Sequence, residues 1–273
     1  MHSKPTLDAD VVSQAAYGAT IAVLAVEGGW ARVRTFDEYE GWVPQDDLRW
    51  LRAGEADYGA AGSVLHVTSL FANLYREPSV TRHKPVVVVP LGTVLEVAPL
   101  AEPAPPTAAD DATPVVQTRD PRWLRVLLPD RRSAWVQRGD VTAEWPELPV
   151  PDLVTFAKRF LGVPYLWGGT TSLGLDCSGY MQLLMRRRGV TLPRDAGPQS
   201  RWERTRVVDR GDLRPGDLLY FGEVETKITH TGMYIGDGEF IHATANTTPV
   251  VQVSRIDAEP WTTLLKRCRR LEP

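Results

Sequence analysis

Short apolar-rich segments separated by turn residues fill the first half of the chain. Thr20 to Val26 leads through Glu27-Gly28-Gly29 into Trp30 to Thr35 and then Gly41-Trp42-Val43-Pro44, which reads as three strands. Gly92 to Val97, Trp123 to Leu128 and Ala134 to Gln137 take the same parts further on. Trp30, Arg32, Val33, Asp37, Trp42, Val43 and Asp47 recur without a gap as Trp123, Arg125, Val126, Asp130, Trp135, Val136 and Asp140. Each copy therefore predicts a small β-barrel, over residues 1–53 and 62–145, in which the four repeated tryptophans are explained by packing. The second copy carries a Pro/Ala-rich insertion at about 101–114, whose composition suits an extended loop.

The pattern changes after the proline-rich stretch Glu144 to Pro151, the best domain boundary in the chain. Leu153, Phe156, Ala157, Phe160 and Leu161 then recur at helical spacing, with Gly162 as a stop. A second helix is predicted from Cys177 to Arg188. Asp176 is its N-cap, Tyr180, Leu183 and Leu184 share one face, and Gly189 ends it. Ile228 to Ile235 and Glu239 to Ala243 form a predicted hairpin joined by Gly236-Asp237-Gly238. The expected architecture is multidomain: two small all-β barrels followed by an α+β domain over residues 150–273.

Composition removes several function classes. With 273 residues, 31 Lys and Arg against 34 Asp and Glu, and a net charge of −3, the chain offers no global basic field for nucleic acid or an anionic membrane. No apolar stretch approaches the roughly 20 residues that cross a bilayer, and the first residues lack an apolar leader. Two cysteines, Cys177 and Cys268, show no CxxC spacing. Free thiols without a leader favour a cytoplasmic protein, with export the alternative if a leader has been trimmed. Nothing in the sequence speaks to oligomeric state.

Cys177 stands in the first turn of its predicted helix, where the positive end of the helix dipole is expected to stabilise a thiolate. A cysteine nucleophile needs a base, and His230 and His242 flank the predicted hairpin. With the turn centred on Asp237, His242 falls opposite Gly232 and beside His230 on one sheet face, with Gly232 leaving room for the ring. The expected relay has Cys177 attack, His230 hold and donate the proton, and His242 orient His230. Taken singly, each of these residues reads better as a small core thiol or a satisfied strand histidine; the ordered set favours the relay. Cys268, among Lys266, Arg267, Arg269 and Arg270, is expected to be structural or incidental, and Trp145, Trp202 and Trp261 carry no motif.

Residues from about 151 to 270 resemble the NlpC family of cell-wall peptidases, which are papain-like cysteine peptidases. The match runs in order through Pro164-Tyr165-Leu166-Trp167-Gly168-Gly169, Asp176-Cys177-Ser178-Gly179, Leu192-Pro193-Arg194-Asp195, Leu213 to Leu218, His230 to Gly236 and Ile241-His242-Ala243. The two repeats resemble bacterial SH3-like domains, and the arrangement is similar to that of γ-D-glutamyl-L-diamino acid endopeptidases. The resemblance implies Cys177 as nucleophile, His230 as base, His242 as third polar residue, and Tyr165 as an oxyanion donor together with the Cys177 N–H. It implies Trp167, Asp176, Ser178 and Asp195 at the substrate subsites, with Asp195 a buried carboxylate pairing the free amine of an N-terminal L-Ala. It also implies peptidoglycan stem peptides as partners and no cofactor or metal. Ala196 departs from the serine common after the Arg-Asp pair, which removes one substrate hydrogen bond. Related enzymes close the subsite with an aromatic residue of the first SH3-like domain. Tyr39 is the candidate here, a surface-loop tyrosine being the alternative.

Other readings of the same residues are a wall- or peptide-binding protein with a non-hydrolytic papain-like domain, and an amidase or acyltransferase on that scaffold. A zinc site built from Cys177, His230 and His242 is a weaker option, because a helix-start thiol with a hairpin histidine already accounts for them.

Overall fold

Alternation along the first repeat turns Ala31, Val33 and Val43 inward and leaves Trp30 and Trp42 half-buried on the other face. In the computed structural model, which describes residues 1–60, 62–99, 120–246 and 248–272, these residues lie on a three-stranded antiparallel sheet. Its strands are β1 (Ala22–Glu27), β2 (Trp30–Arg34) and β3 (Glu40–Pro44), in that order. Gly28 and Gly29, at φ +54° and +85°, turn β1 into β2. The packed residues are few: Ala31, Val33 and Val43, with Met1, Ile21 and Leu48 against them. The tryptophans expected to pack this core are thus displaced from it by the smaller side chains that alternate with them.

So small a cluster does not stand alone. Met1–Ala16 and Thr20–Leu48 form one compact unit with Pro146–Pro273, whereas Tyr17–Ala19 and Arg49–Trp145 form a second. The first repeat and the C-terminal part, expected as separate domains, thus share one compact unit. The physical reason lies in polar ties between the first segment and the C-terminal part. Ser13 accepts a hydrogen bond from Arg194 (3.0 Å), Gln14 accepts one from the Thr170 amide (2.9 Å), and Asp37 accepts one from Gln182 (2.7 Å).

The second unit holds β4 (Val64–Val67), β5 (Phe71–Leu74), β6 (Val87–Pro90), β7 (Val94–Val97), β8 (Trp123–Leu127), β9 (Ser133–Gln137) and β10 (Val141–Thr142). A five-stranded sheet of order β10-β4-β7-β8-β9 and the β5-β6 pair surround Val67, Leu74, Val89, Leu95, Val126 and Val136. The sequence repeat is a repeat of register: Arg32 faces Trp42 across β2 and β3 as Arg125 faces Trp135 across β8 and β9. The insertion expected at about 101–114 lies outside the described residues.

The C-terminal part begins with α1 (Val150–Lys158), which has a proline in its first turn and buries Leu153, Phe156 and Ala157. A short ribbon, β11 (Thr170–Thr171) and β12 (Gly174–Leu175), leads into α2 (Cys177–Arg186) and then α3 (Ala196–Gln199). The remaining elements are β13 (Thr205–Val207), β14 (Leu218–Val224), β15 (Lys227–Gly236), β16 (Glu239–Thr244), β17 (Val250–Arg255), α4 (Trp261–Leu264) and β18 (Leu265–Leu271). They form one sheet of order β13-β18-β14-β15-β16-β17. Every residue of α2 from Cys177 to Met185 is buried, as a helix covered on all sides must be. The helix packs against β15 and β16, and Gln182 reaches Asp37 and the Leu192 carbonyl.

Close backbone approach sets the start of α2. A Cβ on Gly179 would collide with the Gly169 carbonyl oxygen and lie 3.1 Å from the Asp176 carboxylate. Gly179→Ala is therefore expected to destabilise the protein by about 1–3 kcal/mol. Urea denaturation checks this, and an unchanged midpoint would show that the turn at Gly169 yields freely.

Candidate active site

Asp176 caps α2 in extended conformation, its Oδ1 accepting from the Gly179 amide at 2.7 Å, and this places Cys177 as the first helical residue. The thiol is buried beside β15, with the backbone N–H groups of Thr231 and Ser178 directed at the sulfur. Those donors and Arg194 favour the thiolate, but desolvation and the Asp176 carboxylate outweigh them and push the Cys177 pKa up to about 12. This differs from the expectation of a thiol lowered by its place at a helix start, because desolvation is the largest influence on the group, and the resting group is the neutral thiol.

The hairpin has the register that brings both histidines together. Asp237 and Gly238, both at positive φ, form the turn, and Met233 pairs with Ile241 and Tyr234 with Phe240. A Cβ on Gly232 would lie 3.1 Å from that of His242, so glycine opposite His242 leaves the space its side chain uses. His230 Nε2 lies 2.8 Å from His242 Nδ1, and His242 Nε2 lies 3.0 Å from Ser254 Oγ. Nδ1 is the ring nitrogen of His230 that takes no part in this bond. Burial lowers the pKa of His230 to about 4, and burial plus the neighbouring His230 lowers that of His242 to about 2. Both imidazoles are neutral at rest.

Trp261, which carries no motif in the sequence, closes this pair. Its ring stacks on His230 at 5.1 Å and 30° and meets His242 edge-on at 4.8 Å, while Phe240 packs at 4.5 Å from His242. Ser254 was equally silent, because its diagonal position across β16 and β17 depends on strand pairing. Cys268 belongs to the core cluster that contains Phe221, Phe240 and Trp261.

Asp176 and Ser178, expected at the substrate subsites, have their polar atoms committed inside the protein. Arg194 binds Asp176 through both Nη1 (3.1 Å) and Nη2 (2.5 Å), and its Nη1 also reaches Ser178 Oγ at 2.9 Å. The second carboxylate oxygen takes the Gly168 amide as well (3.0 Å). These residues hold the walls of the site instead of pointing free groups into it. Tyr165 lies close enough to Cys177 for their charges to interact. Burial first, then Cys177 and Asp176, pushes the phenol above its usual range. Trp167 follows in the same loop and is 69% exposed, available to a ligand.

Asp195 differs from its expected burial, being exposed, yet partial desolvation still raises its carboxyl above the usual range. Its side chain is hydrogen-bonded to Tyr39, so the residue singled out in the first repeat does meet the Arg-Asp motif. Ala196 is the first residue of α3 and buried, with only a methyl group to present. Among the described residues no group of three or more His, Cys, Asp or Glu is arranged to hold a metal ion, and no helix is long and apolar enough to cross a membrane.

Residues 162–270 match the model of the NlpC/P60 family, and residues 1–49 match that of the bacterial SH3 domain. The chain is 34% identical over 246 residues to the gamma-D-glutamyl-L-lysine dipeptidyl-peptidase of Bacillus cereus (strain ATCC 10987 / NRS 248), covering 85% of this chain and 66% of that protein. A relative of the same name from Bacillus subtilis (strain 168) is 36% identical over 121 residues, covering 43% of this chain and 40% of that protein. The chain thus spans part of the length of each. The crystal structure of an NlpC/P60 family protein from Bacillus cereus ATCC 10987 matches with a TM-score of 0.76 and 29% identity, covering 96% of this chain and 82% of that one.

The buried neutral histidines make stability depend on pH. An unfolded chain protonates imidazole near 6.5, while the folded protein holds His230 and His242 neutral to about 4 and about 2. Between pH 6.5 and 4 the unfolded state binds more protons, so their contribution to stability is present above this window and lost as pH falls through it. His242→Gln is expected to reduce the slope of stability against pH by one proton, about 1.4 kcal/mol per pH unit. Urea titrations across this range measure it, and an unaltered slope would mean that His242 is protonated in the folded protein.

Proposed function

We propose that the chain, whose residues 162–270 match the NlpC/P60 family and whose residues 1–49 match the bacterial SH3 domain, is a cysteine endopeptidase of peptidoglycan stem peptides. The bond cleaved joins the γ-carboxyl of D-Glu to the diamino acid, in peptides that begin with a free L-Ala. The observation that carries this reading is the His230–His242 pair together with a thiol that meets the backbone amide of Thr231, the residue next to His230. We read the C-terminal domain as papain-like, with the nucleophile on α2 and the base on the sheet, and the two repeats as SH3-like barrels. The names of the Bacillus relatives support the substrate class.

With thiol and imidazole both neutral at rest, attack and proton transfer proceed together. Cys177 Sγ adds to the γ-carbonyl carbon of D-Glu as its proton passes to His230 Nδ1. The resulting oxyanion is met by the Cys177 N–H, which has no intrahelical acceptor, and by the Tyr165 hydroxyl, which burial keeps protonated. Collapse breaks the C–N bond, and His230 returns its proton to the departing amine. Water then attacks the thioester, giving a proton to His230, and collapse releases the acid and restores the thiol.

Asp195 is the group we assign to the cationic α-amine of L-Ala, with Tyr39 hydrogen-bonded to its carboxyl and Trp167 exposed nearby in sequence to the nucleophile. Ala196 offers the substrate no hydroxyl. Two free thiols support a reducing, cytoplasmic location, in keeping with trimming of imported muropeptides. Recovery of the protein in the culture medium on cell fractionation would overturn that location.

Product masses from a panel of stem peptides test the function. The protein is expected to release L-Ala-γ-D-Glu, and Cys177→Ala is expected to abolish turnover while leaving the melting temperature unchanged. Acetylation of the L-Ala amine, or Asp195→Asn, is expected to lower kcat/KM at least about tenfold through loss of a charge-assisted hydrogen bond. Equal cleavage of free and acetylated peptides would remove the amine requirement, and turnover by Cys177→Ala would remove the nucleophile.

A further inference from the structure

We propose that Ser254 is a positioning residue of the relay: acting through His242, it is the hydrogen-bond acceptor that stabilises His230 when His230 carries the proton of the thiol. The catalytic part of this inference rests on the peptidase reading, whereas the geometry behind it does not.

The order of protons along the chain of bonds decides what Ser254 must do. A neutral imidazole has one N–H donor and one acceptor nitrogen. At rest the chain from His230 Nε2 to His242 Nδ1 and from His242 Nε2 to Ser254 Oγ satisfies every group in either direction, because a hydroxyl both donates and accepts. One direction is unproductive: if His242 donates to His230, the proton of His230 sits on Nδ1, where it blocks transfer from the thiol. Once Nδ1 has accepted that proton the freedom is gone. His230 is then a donor at both nitrogens, His242 Nδ1 must accept, His242 Nε2 must carry its proton, and Ser254 Oγ must accept it.

Among the described residues the relay ends on the Ser254 hydroxyl and not on a carboxylate, so the positive charge on His230 is stabilised by aligned dipoles. The surroundings make the last acceptor hard to replace. His242 is fully buried, and Phe240 and Trp261 pack on its ring at 4.5 and 4.8 Å. Without the Ser254 hydroxyl, the productive order leaves a buried N–H with no acceptor, which is the less tolerated kind of unsatisfied group. The unproductive order leaves only an idle lone pair, so its population rises.

Ser254→Thr and Ser254→Val form the decisive pair, since their side chains have the same shape, suit a strand, and differ in the hydroxyl. Ser254→Val is expected to lower kcat about tenfold on a free stem peptide with KM little changed, and Ser254→Thr to restore kcat to within about twofold of wild type. Nitrogen-15 shifts of the resting protein give a readout independent of turnover: in Ser254→Val the His242 signals are expected to move toward the Nδ1-protonated form, and in Ser254→Thr to remain as in wild type. Equal kcat for the Val and Thr variants, together with unchanged histidine shifts in both, would overturn the role of Ser254 and leave the peptidase reading standing. A wild-type protein that cleaves no stem peptide would overturn the peptidase reading, while the nitrogen-15 comparison would still decide the relay.

Discussion

The buried pair between Asp176 and Arg194 is the constraint on which the site depends. Its side chains are 10% and 1% exposed, and between them they meet the start of α2, the Gly168 turn, Ser178 and Ser13. One carboxylate therefore sets where Cys177 begins its helix and where the loop carrying Tyr165 and Trp167 turns. Such a pair is poor evidence for net stability, because desolvating both ions offsets much of their attraction. Breaking it is another matter, since the remaining buried charge would cost about 3–5 kcal/mol. The pair therefore serves placement: two ions that cannot be parted fix three chain segments at once.

Burial has a second consequence, at the reacting groups themselves. The same enclosure that positions Cys177 pushes its thiol up, and the aromatic rings around His230 and His242 push both imidazoles down. Thiol and imidazoles are thus uncharged at rest. On the proposed reading, a neutral thiol and a neutral base react by moving a proton during attack, and the hydrogen bonds from His230 to His242 and on to Ser254 take the place that a carboxylate holds in other relays. Reactivity at this site is a property of the pair and its backing, not of an activated cysteine alone.

Much of the site was legible because local rules carry it. Asp176 announces a helix start, Gly236-Asp237-Gly238 announces a tight turn, and a period of two then places His242 across from Gly232. Tyr39 was found by comparing the two repeats, where Arg132 stands in its place, and its bond to Asp195 links the first segment to the C-terminal motifs. Ser254 and Trp261 left no such trace. The first depends on which strand pairs with β16 and in what register, the second on how the chain folds α4 back over the hairpin, and neither is encoded in spacing. The roles of Asp176 and Ser178 were legible as position but not as partner, because Arg194 approaches them from elsewhere in the chain.

The amino-acid sequence by itself determined the repeated hairpins, the helix that begins at Cys177, the histidine hairpin and their order, since turns, caps and periodicity act over a few residues. Tertiary structure alone decided how these pieces group and in what protonation state they wait. The cluster of Ala31, Val33 and Val43 is small, and the segment that carries it shares one compact unit with the C-terminal part, tied to it through Ser13, Gln14 and Asp37. The group that local rules favour as a thiolate is raised and waits as a thiol, because desolvation by neighbours that only the tertiary structure gathers is the largest influence on it.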